Sequence, residues 1–119
     1  MVSYIMQDSH ARKVLSTFSG TLVTSRLGRA EVIRTIHKLD PARISDAENF
    51  FTGVTLIDVN RKVFEIVESY SSEITLKTSD AIHVATAELI LTRDDFLITL
   101  DKQMSLNAEK LGLSVLTSS

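Results

Sequence analysis

Cysteine is absent from the chain, which excludes disulfides, thiolate metal sites and a cysteine nucleophile and sits easily with a reducing cytoplasm. Tryptophan is absent too, and the few Phe and Tyr fall mostly on apparent core stripes, so no row of stacking aromatics is available. One proline and four glycines are too few for a linker, a repeat array or a glycine-rich phosphate loop. No apolar run is long enough to cross a bilayer, and residues 1–6 have neither a basic start nor a small-residue cleavage site. The expectation is a soluble, untargeted, cytoplasmic protein with no membrane partner. The net charge of −2 provides no global basic field, so any nucleic-acid site must be a local patch.

What remains is a composition suited to folding: 44% hydrophobic and 24% charged residues in 119, enough for one core and too few for two ordinary domains. A single domain over 1–119 is expected. From Asp8, the segment DSHARKVLSTF sets Ala11, Val14, Leu15 and Phe18 at helical spacing. Thr21–Ser25 is a short β-rich run passing directly into the helical pattern SRLGRAEVIRTIHKL. Asp40-Pro41 signals a further helix with a stripe of Ile44, Ala47 and Phe51, ending near Gly53. Val54–Val59 reads as a buried strand, and Asn60 caps a helix whose Val63, Phe64, Val67 and Tyr70 share a face. An Ala-rich helix starts at a Thr78 or Ser79 cap, Phe96–Leu100 is a second buried strand ending at Asp101, and a short helix stopping at Leu111 and Gly112 leads to a last strand, SVLT. Strands interleaved with helices imply an α/β fold with a mostly parallel sheet covered on both faces.

Three acids stand apart from the solvated remainder. Glu31 lies inside the second helix beside Ala30 and Val32, Asp80 opens the Ala-rich helix, and Asp101 ends a strand. Sites in such folds form at the carboxyl ends of strands, so the three can converge on one edge. Clustered carboxylates repel one another unless a cation neutralises them, which favours Mg²⁺ or Mn²⁺ and metal-assisted phosphodiester hydrolysis. Each acid also has a purely structural reading: Asp80 as a helix cap, Asp101 as a turn opener, Glu31 as the partner of Arg29 or Arg34. His83, one helical turn after Asp80, has no cysteine or second histidine beside it to complete a zinc site, and reads as a packing or hydrogen-bonding residue. Arg26, Arg29 and Arg34 cluster near Glu31 and suit phosphate binding or a solvated face equally.

The segments TSRLGRAEV, SDAIHVATA and FLITLDKQM, with a closing Ala108 and Leu111-Gly112-Leu113, together resemble the central motifs of PIN domains, in particular VapC-type toxins. The resemblance covers essentially the whole chain. It implies a PIN-like α/β/α sandwich, Glu31, Asp80 and Asp101 at three of the family's acidic metal-binding positions, and Mg²⁺- or Mn²⁺-dependent endoribonuclease activity as the toxin of a type II toxin–antitoxin pair. Arg26, Arg29 and Ser25 become candidates for substrate contact, and a cognate antitoxin, an RNA substrate and a second copy in a homodimer become the implied partners. The family opens with a central strand ending in Asp-Thr or Asp-Ser, whereas MVSYIMQDSHARK resembles the helix that follows it. The expectation is therefore a chain lacking that strand and its acid, through a mis-set start or a truncation, with Asp8 the nearest acid at the end of a first short helix. The competing reading is a catalytically inactive PIN-like module that binds antitoxin or RNA without cleaving.

Overall fold

In the computed structural model, residues 2–5, 21–99 and 101–116 are described. Five strands form one fully parallel sheet: β1 (Val2–Ile5), β2 (Thr21–Ser25), β3 (Val54–Ile57), β4 (Phe96–Ile98) and β5 (Val115–Leu116), in the order β3-β2-β1-β4-β5. The described helices are α1 (Arg26–Leu39), α2 (Ile44–Phe51), α3 (Arg61–Ser69), α4 (Thr78–Ile90) and α5 (Lys102–Lys110), with a 3₁₀ turn, Pro41–Arg43, leading into α2.

The expected absence of a central first strand does not hold. β1 occupies the middle of the sheet, in register with β2 on one side (Tyr4 opposite Val23) and β4 on the other (Tyr4 opposite Leu97). Four residues interrupted by Ser3 are too few to show a period, although Val, Tyr and Ile all favour strands. The helix expected from Asp8 to Phe18, and Asp8 itself, lie outside the described residues. Val2–Ile5, where a first short helix was expected, is strand.

Parallel neighbours require crossovers, and these are almost always right-handed. The α1–α2 crossover runs outward from β2 to β3, whereas α5 runs outward from β4 to β5 in the opposite direction, so the two lie on opposite faces. The core divides accordingly. On one face Phe51 and Val54 pack with Leu22, Val32, Ile33, Phe50 and Leu56; on the other Val84, Ala87, Leu97, Met104 and Ala108 form a buried cluster from α4, β4 and α5. Alanines at 81, 85 and 87 let α4 lie close to its neighbours, and all three are buried.

Most element starts agree with the sequence signals. Ser25 caps α1 through Gly28 N at 3.0 Å, and Asn60 caps α3 through Val63 N at 3.3 Å. α4 departs from expectation: its N-cap is Lys77, with no side-chain cap bond, and Thr78 and Ser79 are already helical. Phe64 also departs from its expected buried stripe, being 45% exposed while Val63 beside it is buried. Among the described residues no helix is long and apolar enough to cross a membrane.

Candidate functional site

Chain direction reverses around β1, whose neighbours lead outward to β3 on one side and β5 on the other. The carboxyl edge at this switch point is where α/β sheets bind ligands. Ser25 ends β2 there, and Asp101 follows β4 by three residues. Asp101 does not open a turn but caps α5, with Oδ1 accepting from Met104 N at 2.9 Å while its own N–H donates to the Oγ1 of buried Thr99 at 3.1 Å. Its side chain is therefore oriented, yet the residue remains exposed.

Asp80 sits half-buried in the first turn of α4, and no hydrogen bond or ion pair among the described residues engages its carboxylate. Burial is the main reason that its pKa lies above the ordinary 3.8. The negative charges of Asp101 and Glu31 push in the same direction, against Lys77 and His83. Asp80 thus lies within electrostatic reach of both Asp101 and Glu31, although their elements are far apart in the chain.

Glu31 lies in the second turn of α1. It pairs with neither Arg29 nor Arg34; its Oε1 lies 2.5 Å from Nε2 of His83, a residue only 1% exposed. A carboxylate only accepts, so Nε2 carries the proton in this contact. The pairing was the feature least legible in the sequence. The one available signal was that His83 shares a helix face with Asp80 one turn earlier.

The basic candidates separate. Arg26 pairs with Asp58 at 2.5 Å on the exposed surface, an arrangement worth little in water, and Arg29 stands 5.3 Å over the ring of Phe51. With Ala30, Ile33 and Arg34 they line a shallow groove of about 360 Å³ along α1. Ser25 is fully buried and committed to capping, so the structure puts it in the frame of the site and not on a ligand-facing surface.

Carboxylate oxygens are the donors that hard divalent cations take, and the repulsion around Asp80 is what a cation relieves. The chemistry of the donor set therefore fits Mg²⁺ or Mn²⁺. Among the described residues no three His, Asp or Glu side chains stand close enough to enclose an ion as placed. Glu31 Oε1 is held by His83 and Asp101 Oδ1 by its own helix, which leaves the second oxygen of each carboxylate, with Asp80, as the available donors.

A family model described as the PIN domain matches residues 1–110. Among curated proteins no sequence matches this chain. Among solved structures, the chain is similar to one in a toxin–antitoxin complex from Klebsiella pneumoniae, at 19% identity and TM-score 0.71 over 97% of this chain and 96% of the other. It is also similar to chains of VapBC-1 from nontypeable Haemophilus influenzae (14% identity, TM-score 0.74) and of DNA-bound VapBC from Salmonella typhimurium (14%, 0.72), each over 98% of both chains. At such identities the likeness establishes the fold, an α/β fold of the PIN type.

Proposed function

The chain belongs to the PIN domain family, and from the placement of Asp80 within electrostatic reach of Glu31 and Asp101 we propose that it is a divalent-metal-dependent endoribonuclease, the VapC-like toxin of a type II toxin–antitoxin pair. The observation that carries the reading is the placement of Asp80, half-buried at the start of α4 beside Asp101 and Glu31, with no hydrogen bond or ion pair among the described residues to satisfy its carboxylate. Structures of similar fold are toxin–antitoxin complexes, which supports an antitoxin as partner.

In this reading Asp80 and Asp101 would hold Mg²⁺ or Mn²⁺, and Glu31 would orient the attacking water and receive its proton. Bound there, the ion supplies a polarised phosphate and a water acidified toward neutral pH. Arg26, Arg29 and Arg34 line the groove that would take backbone phosphates, supplying locally the positive charge that the molecule lacks overall.

The test is a calorimetric titration with Mn²⁺ and a cleavage assay on structured and single-stranded RNA, wild type against Asp80→Asn. The expected result is Mn²⁺-dependent cleavage, with affinity for the ion at least about tenfold weaker in the variant and turnover lower by about 10² or more. RNA binding without turnover in saturating Mn²⁺ would instead mark the inactive binding module, and unchanged metal affinity in Asp80→Asn would remove Asp80 from the site.

A further inference from the structure

His83 is nearly inaccessible, yet it carries a polar ring, and burying such a group without a partner is unfavourable. Its Nε2 reaches across to α1 and bonds Glu31 Oε1 at 2.5 Å, joining elements 52 residues apart. The space for that contact is made by Gly28, one turn before Glu31. A Cβ there would stand 3.2 Å from His83 Cε1 and 2.5 Å from Thr24 Oγ1. Ser25, capping α1 through the N–H of the same glycine, fixes where the helix begins. Gly28 is thus the point of close approach between α1 and the His83 ring, and Glu31 follows on the next turn.

Resting on the nuclease reading above, we propose that His83 is a positioning residue for Glu31: its Nε2–H holds one carboxylate oxygen so that the other stays directed toward Asp80, and Gly28 provides the room for the ring. Carboxylates that serve an ion are commonly themselves hydrogen-bonded from behind, and losing such a partner weakens affinity or activity by about 10–100-fold.

The substitutions that separate this from simple packing are His83→Gln and His83→Asn. Both keep a buried amide, but only the longer Gln brings an N–H to the position of Nε2. The full chain is used, with circular dichroism melts to compare folding, Mn²⁺ affinity by calorimetry, and kcat and KM for RNA. His83→Asn is expected to lower Mn²⁺ affinity and kcat by about 10–100-fold with KM little changed, and His83→Gln to recover most of both. In a Glu31→Gln background the two His83 variants should become equivalent, because the residue acts through that carboxylate. Equal behaviour of Gln and Asn with Glu31 intact, or a difference that persists in Glu31→Gln, would overturn the positioning role while leaving the nuclease reading standing. A wild-type chain that neither binds Mn²⁺ nor cleaves RNA would overturn both.

Discussion

At Asp80 the carboxyl group is held above its ordinary pKa of 3.8, chiefly by burial, with Asp101 and Glu31 adding to the effect. The folded chain therefore binds this proton more tightly than the unfolded chain. The associated stability is fully present below the unfolded value and is lost as pH rises through the folded pKa, so at neutral pH the ionised group opposes folding. Asp80→Asn removes that penalty. In metal-free buffer at pH 7 the variant should melt at a higher temperature than wild type, and the gap should close as the pH approaches 3.8 or below. Added Mn²⁺ should reverse the order by stabilising only the chain that binds it. A lower melting temperature for the variant at pH 7 without metal would contradict the electrostatic account. At this scale the sequence singles out the acids as candidates, because each stands where a strand ends or within the early turns of a helix. It did not carry their proximity or the partner of Glu31, since both depend on which helices cross over which strands. The His83 contact joins α1 to α4 through a glycine whose role is visible only once the two helices meet.

Between elements, the segment before α4 is fastened to α5 by Asn107. This buried residue accepts from Thr75 N at 2.8 Å and donates to Thr75 Oγ1 at 3.0 Å and Gln103 O at 2.8 Å, while Gln103 Nε2 also reaches Thr75 Oγ1. Lys110 adds a bond to the carbonyl of Glu73. The tie holds the segment before α4, the helix that carries Asp80, along the length of α5, the helix that Asp101 caps. Asn107→Ala would strand the Thr75 amide against α5 and should lower stability by about 1–3 kcal/mol, measured by chemical denaturation. A change near zero would mean that water replaces the network. Elements with long apolar patterns and cap signals were legible in advance: α1 with Ser25, α3 with Asn60, and α5 ending at Lys110 before Gly112, whose φ of +86° suits glycine alone. The expected Val54–Val59 strand is shorter, ending at Ile57, and Asp58 just past its end pairs with Arg26 on the exposed surface. α4 lacks a side-chain cap although two good capping residues stand at its start: the helix begins one residue earlier, with Lys77 at the cap position and Thr78 and Ser79 already helical.

Across the whole molecule, the strand that sequence reading judged missing is the one on which the sheet depends. β1 makes three register pairs with β2 and three with β4, and with it the two halves of the core close over one sheet. Without β1, β2 and β4 would present unpaired backbone to each other across a gap of one strand, and pairing them directly would bring the packed helices on each face into collision. Ladder hydrogen bonds contribute about 0.5–1.5 kcal/mol each, so losing those on both sides removes several kcal/mol from a domain whose total stability is of order 5–15 kcal/mol. A chain begun at Met6 should therefore lose cooperative thermal unfolding and accumulate in the insoluble fraction, even though every acid of the proposed site is retained. If that shortened chain instead melted cooperatively and bound Mn²⁺ as the full chain does, β1 would be dispensable, and the switch point on which the site is built would have to lie elsewhere in the sheet.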